Sequence, residues 1–324
     1  MFAALGFKLP NNGFWKYIVG SIIVIIASGI GQVPFMIAVF AKAMADGEII
    51  TNDTSKLMKI LDPNLTLFLL MLSFVVALAA LFLVVKYLHK QKIVEVTTAR
   101  PKVDWGRVFF SFGIWATFSA VSVVAYYFIT PEKFVLNFQP VPFLILFVIA
   151  TLLIPIQTST EEYIFRGYLM QGFALLAKNK WFPLVMTSVI FGGMHYFNPE
   201  VAKMGNIIMI YYIGTGFFLG IITLMDEGME LALGFHAANN LVGALLVTSD
   251  WGVFQTHSVF KDISEPSAGF DVLLPVLVIF PILLFIFSKK YKWFGWKEKL
   301  TGEIVEPIYQ NNQINPFGDE GTKL

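Results

Sequence analysis

Apolar residues in this chain run in long blocks instead of alternating with polar ones. Eight blocks, bounded by charges and by Pro, Gly and Asn clusters, approach the roughly 20 residues a helix needs to cross a hydrocarbon core. They cover residues 14–40, 65–88, 108–130, 142–165, 181–198, 207–225, 230–248 and 271–288. The first block resembles a signal peptide only superficially. Its apolar run from Tyr17 to Phe40 is too long and lacks a small-residue cleavage site, so it reads as an uncleaved first helix. The expected fold is therefore all-α, a polytopic transmembrane helical bundle of about eight spans. Residues 301–324 are polar and aperiodic, the pattern of a disordered tail. No internal repeat is visible, which argues against the inverted-repeat transporters.

Composition supports the same class. Of 324 residues, 56% are hydrophobic and 14% charged, and the mean hydropathy is +0.70. Soluble domains are nearer half apolar and about one-quarter charged. A net charge of +1 gives no sign of nucleic acid as a partner; the expected partners are membrane lipids and whatever the site acts on. Cysteine is absent, which excludes disulfides, iron–sulfur clusters, thiolate zinc sites and cysteine nucleophiles.

The distribution of Lys and Arg fixes an expected orientation. With the N-terminus in the cytoplasm, 16 positive charges fall inside, concentrated in 86–107, at Lys178 and Lys180, and in 289–299; six fall outside. Both termini are thus expected in the cytoplasm of a multi-pass cytoplasmic-membrane protein. Trp15, Trp105, Trp181, Trp251 and Trp293 lie near span ends, as interfacial anchors do.

Ionisable side chains inside a bilayer cost roughly 2.5–3.5 kcal/mol each, so they mark function by default. Here they cluster in the second half of the chain. The run Thr158-Ser159-Thr160-Glu161-Glu162-Tyr163-Ile164-Phe165-Arg166 closes the fourth span, Phe191-Gly192-Gly193-Met194-His195 lies in the fifth, and His236-Ala237-Ala238-Asn239-Asn240 opens the seventh. Glu162 and Arg166 are four apart and share a helix face, so they pair. Glu161 is turned about 100° from Glu162, free to face something else; Gln157, four residues before it, is at best a hydrogen-bond donor. His236 and Asn240 present two polar groups to one cavity. The glycines before His195 let a helix or a substrate backbone approach closely.

Glu161-Glu162-x-x-x-Arg166, Phe191-x-x-x-His195 and His236-x-x-x-Asn240, in that order on hydrophobic helices, resemble the signature of the CAAX prenyl endopeptidase and bacteriocin-processing (Abi) family. Glu-Glu-x-x-x-Arg alone is a weak signal; the three together are specific. The resemblance covers 142–248 as a catalytic core. Residues 1–141 form the first three spans with a basic connection, and 249–300 an outer loop and last span, without support from it. It implies an intramembrane endopeptidase acting on peptides or lipidated proteins, of CAAX or leader type. In it Glu161 and His195 activate water, while His236 and Asn240 stabilise the oxyanion.

The chemistry agrees. A carboxylate beside another in a low-dielectric site suits a general base, Arg166 limits the conflict between the two, and an amide with an imidazole N–H is a credible oxyanion clamp. Glu161, His195 and His236 are equally candidates to bind a divalent metal such as zinc, and spacing does not decide between these, because they come from three helices. The serine, aspartyl and HExxH designs are set aside: His195 is followed by Tyr196-Phe197-Asn198, and Gly214-Thr215-Gly216-Phe217 lacks the acid of GxGD.

Singly, each group also fits a structural role: an intrahelical ion pair, a core histidine, interhelical hydrogen-bond glue. A proton-coupled transporter, or an inactive immunity or scaffold protein, is the alternative function. His89, among Lys86, Lys90 and Lys92, reads as an exposed interfacial residue; His257 is given no role, and Gly214, Gly216 and Gly220 read as helix-packing positions. One conflict remains. Glu161 lies roughly 30 Å along a span begun at 142, near its cytoplasmic end, whereas His195 lies about 20 Å along the fifth span from Trp181. They meet only if the fourth helix is displaced, kinked at Pro155 or strongly tilted, or if 167–180 is embedded too.

Overall fold

A computed structural model of the chain describes residues 2–9, 11–47, 54–267 and 269–305. Eight principal helices account for the eight apolar blocks: α1 Phe14–Asp46, α2 Pro63–Leu88, α3 Trp105–Ile129, α4 Pro140–Ala177, α5 Trp181–Met194, α6 Ile208–Asp226, α7 Glu230–Leu246 and α8 Val272–Tyr291. Their ends follow local chemistry. Asp62 caps α2, accepting from Asn64 N at 2.9 Å and Leu65 N at 3.3 Å, with Pro63 in the first turn. Asp104 caps α3 in the same way. Gly47 ends α1, and Lys178 ends α4, in left-handed backbone conformations.

Six of the eight helices are long and apolar enough to cross a membrane. The other two are shorter, 14 residues in α5 and 17 in α7. Helix α7 sits inside the bundle against α3, α4 and α6, so its length need not match the bilayer. Lipid-facing surface is plain on α1, where Ile22, Ile25, Ile26 and Ile30 are all more than half exposed.

The fourth helix differs most from expectation. Its apolar block was bounded at 165, yet the helix continues to Ala177 through a π-helical stretch at Tyr163–Leu169. Met170, Gln171 and Ala174 in the extension are fully buried. Counted from the turn at 178–180, Glu161 is about 25 Å up α4 and His195 about 21 Å up α5. The depth conflict therefore disappears: of the arrangements that could bring the two together, it is the embedding of the segment after 166 that the fold uses.

The segments that charge counting grouped together also share one end of the molecule. Arg100 and Arg107 both bind Asp226, at 2.9 and 2.8 Å, and Arg100 binds Glu230 at 3.1 Å. Trp293 donates to Asp226 at 3.0 Å, Lys180 to Glu298 at 3.1 Å, and the Phe2 amide to Glu227 at 2.6 Å. At the other end a small sheet, β1 Phe134–Leu136, β2 Val247–Ser249 and β3 Phe260–Asp262, runs in the order β1-β3-β2. It ties the exits of α3 and α7 to the entry of α4. Lys59 and Lys261 meet Asp250 there, and His257 meets Asp62.

Two further expectations change. His89 is 2% exposed, bonded to Asn12 at 2.8 Å and Tyr168 at 2.9 Å, and tilted against the Tyr17 ring; it is an internal link between the N-terminal segment, α2 and α4, not an interfacial residue. Burial, reinforced by Lys16, pushes its imidazole down to about 4. Residues 301–305, assigned to the disordered tail, belong to the fold: Ile304 is buried and its amide bonds Lys178 O at 2.8 Å. The rest of that tail, 306–324, lies outside the described residues. Trp15, Trp105 and Trp181 are exposed near helix ends as expected, whereas Trp251 and Trp293 are half-buried.

Candidate active site

The polar run in α4 is held by its own helix. Thr158 and Thr160 return their hydroxyls to the carbonyls of Ile154 and Ile156, at 3.1 and 2.7 Å, which satisfies them away from water. The π-helical stretch begins one residue after Glu162, and such insertions recur at functional sites.

Glu162 and Arg166 are completely buried and paired at 3.1 Å, as their spacing predicts. Arg166 also donates to Gly216 O at 3.1 Å and lies over the Phe191 ring at 4.3 Å. A buried cation thus has an anion, a carbonyl and an aromatic face around it. The same Glu162 oxygen meets His236 Nδ1 at 2.7 Å. A carboxylate paired with arginine accepts, so His236 carries its proton on Nδ1. Its Nε2 then turns a lone pair toward Glu161, whose Oε2 is 3.6 Å away.

Glu161 is partly exposed, its side chain at 17%, beside a fully buried neighbour. Its Oε1 accepts from Gln157 Nε2, and Gln157 Oε1 accepts from Asn240 at 3.0 Å. Glu161, Glu162, Arg166, His236 and Asn240 therefore form one polar cluster, in which two hydrogen-bonded groups, Arg166–Glu162–His236 and Glu161–Gln157–Asn240, meet where His236 Nε2 faces Glu161 Oε2 at 3.6 Å. His195 stands at its edge. Its Nδ1 meets Phe191 O at 2.8 Å and its ring stacks on Tyr212 at 4.4 Å. A backbone carbonyl only accepts, so the Nδ1 proton is fixed and Nε2 is left as an acceptor. The imidazole in closest reach of Glu161 is thus His236, not the His195 expected to pair with it.

The glycines act as expected. A side-chain carbon on Gly192 would strike the Ile213 backbone, and one on Gly216 would come within 2.7 Å of Ser188 O, so α5 and α6 pack backbone to backbone. Gly193 faces open space beside His195.

Three polar partners have no role in the sequence motifs, although Trp115 Nε1 bonds Asn239 Oδ1 at 3.1 Å and Gln157 bonds Glu161. Gln157 was visible only as a residue one turn before Glu161; Asn239 lay inside a quoted motif with no role; Trp115 comes from α3, more than 120 residues from its partner Asn239, and nothing local announces it. For the metal question, no three His, Cys, Asp or Glu side chains among the described residues converge to hold an ion. His236 Nδ1 is committed to Glu162 and His195 Nδ1 to a carbonyl, which leaves the Nε2 atom of each ring open toward the site.

Residues 140–242 match the family described as type II CAAX prenyl endopeptidase, Rce1-like. The uncharacterized protein YyaK of Bacillus subtilis (strain 168) is 30% identical over 247 residues, which span 75% of this chain and 81% of that protein. No solved structure matches. The matched stretch begins at the first residue of α4 and ends two residues after Asn240, so it encloses the whole glutamate–histidine–asparagine network. The chain belongs to the Rce1-like family of type II CAAX prenyl endopeptidases.

Proposed function

We propose that this protein is an intramembrane endopeptidase that hydrolyses a peptide bond in a lipidated or membrane-associated polypeptide, through a cavity open to the cytoplasm. The observation that carries the reading is the facing pair of Glu161 and His236, 3.6 Å apart, set on a fully buried Glu162–Arg166 base. The charge count, which puts both termini in the cytoplasm, gives the orientation.

The attacking water would donate one hydrogen bond to the Glu161 carboxylate and one to His195 Nε2. Glu161 accepts a proton as the water oxygen attacks the scissile carbonyl carbon. The proton passes to His236 Nε2, and the imidazolium so formed is stabilised by Glu162, much as a buried carboxylate stabilises imidazolium in a catalytic triad. His236 and the second N–H of Asn240 then donate to the oxyanion. Collapse breaks the C–N bond, and His236 returns its proton to the departing amine. Water is consumed, an acid and an amine are released, and every side chain regains its starting state. Gly193, unpacked beside His195, leaves room for the substrate backbone.

The test uses the purified protein in proteoliposomes with three peptides: a farnesylated CAAX peptide, its unprenylated twin, and a hydrophobic leader peptide. Cleavage by the wild type, reduced about 100-fold or more in Glu161→Gln, is expected. Potential-driven proton flux with no cleavage of any peptide would replace this reading with the transporter.

A further inference from the structure

The hydrogen bonds that end on Glu161 form a chain with one direction. Trp115 Nε1 donates to Asn239 Oδ1 at 3.1 Å; Asn239 Nδ2 donates to Asn240 Oδ1 at 3.1 Å; Asn240 Nδ2 donates to Gln157 Oε1 at 3.0 Å; Gln157 Nε2 donates to Glu161 Oε1. An indole N–H can only donate, and an ionised carboxylate can only accept. Between these ends each amide has one orientation in which every contact is complementary. Turning any one of them sets nitrogen against nitrogen and oxygen against oxygen. Tyr211, whose hydroxyl also meets Asn239, donates or accepts as required and imposes no opposite sense. Trp115 is itself fixed, 6% exposed and packed on Phe235 and Phe118 with ring centroids 4.5 and 5.2 Å away.

The two ends are not equivalent during turnover. Once Glu161 takes a proton it no longer demands donors on both oxygens, and the Gln157 amide could invert to accept from a protonated Oε1. Trp115 forbids this, because inverting Gln157 requires Asn240 and Asn239 to invert as well and leaves the buried indole N–H facing an NH2 group. A buried donor without an acceptor is expensive in a low-dielectric interior.

We propose that Trp115, Asn239 and Gln157 are positioning residues that hold the Gln157 amide on Glu161 Oε1 throughout the cycle, so that the proton taken from water is confined to Oε2. Oε2 is the oxygen facing His236 Nε2 at 3.6 Å, the place from which the proton can move on. The inference rests on the endopeptidase reading for its consequence and on geometry alone for its existence.

Two measurements on the full-length protein in nanodiscs separate these. In the first, kcat and KM for one peptide are compared in wild type, Trp115→Phe, Gln157→Leu and the double variant. Trp115→Phe should lower kcat roughly tenfold, the effect of one lost buried hydrogen bond expressed in the transition state, with KM and melting temperature little changed. Once Gln157→Leu has cut the chain, Trp115→Phe should cost nothing further, whereas a merely structural tryptophan would give an additive loss. Benzothienylalanine at position 115 keeps the ring shape and removes only the donor; it should reproduce the phenylalanine effect, which guards against misfolding. In the second, 15N-indole spectra are recorded, with the Trp115 signal among the seven tryptophans assigned by its disappearance in Trp115→Phe. Gln157→Leu, three hydrogen bonds away, should displace that signal. Additive losses in kcat overturn the relay. If the wild type cleaves nothing, the endopeptidase reading falls and the indole signal alone decides: a displaced signal sustains the relay, an unmoved one ends it.

Discussion

Replacing Glu162 by Gln removes one negative charge at nearly constant shape, and the structure sets what that does. One Glu162 oxygen serves both Arg166, at 3.1 Å, and His236, at 2.7 Å, and Glu162 and Arg166 are fully buried. The amide oxygen can still accept from Arg166, but the arginine is left in a buried site without a counter-charge, beside only Gly216 O and an aromatic face. An uncompensated buried charge of this kind costs about 3–5 kcal/mol. For a chain of this size that lowers the melting temperature by on the order of ten degrees. Glu161→Gln is the matched control. Its side chain is partly exposed, it supports no ion pair with Arg166, and the amide oxygen can still accept from Gln157. It should melt within about 1–2 degrees of wild type and lose activity by roughly 100-fold or more, because only basicity is gone. Thermal unfolding in detergent and cleavage of one peptide, measured on wild type, both glutamine variants, His195→Ala and the Glu161/His195 double variant, form the assay. The double variant should be hardly worse than either of its parents if the two act as a unit. A Glu162→Gln protein as stable as wild type would refute the assignment of the buried pair. Full activity in Glu161→Gln would refute the mechanism.

Three other outcomes are expected. His89 titrates near 6.5 when unfolded but is held down to about 4 in the fold. Its contribution is therefore complete above about pH 6.5 and lost as pH falls toward 4, a change of up to about 3 kcal/mol; a melting curve against pH should be flatter in His89→Gln, which cannot titrate. Asn240→Ala should lower kcat by about 100- to 1000-fold with a much smaller change in KM, since its N–H engages charge that develops only in the transition state; equal losses in binding and turnover would make it structural. Reporter fusions after residues 100 and 260 should report opposite sides, cytoplasm for the first; a common side would overturn the expected topology.

Long uncharged blocks and the paucity of charge sufficed to read an all-helical membrane bundle, because a bilayer leaves no other way to satisfy so much apolar backbone. The i, i+4 pairing of Glu162 with Arg166 and the segregation of basic segments to one end were likewise local properties, legible without partners. What the sequence could not carry were features decided by distant contacts. The fourth block seemed to stop at Arg166 because a lone arginine reads as a boundary. Only in three dimensions do Glu162, Gly216 and Phe191 neutralise it and let the helix run on to Ala177. That extension brings Glu161 to the depth of His195. His89 seemed exposed because its neighbours in sequence are lysines, yet Asn12 and Tyr168 enclose it. Trp115 and Asn239 meet across two helices, and His236 is drawn to Glu162 from a third element. Motif spacing names the residues of a site, but the direction of its hydrogen bonds is a property of donors and acceptors that only the folded chain brings within reach.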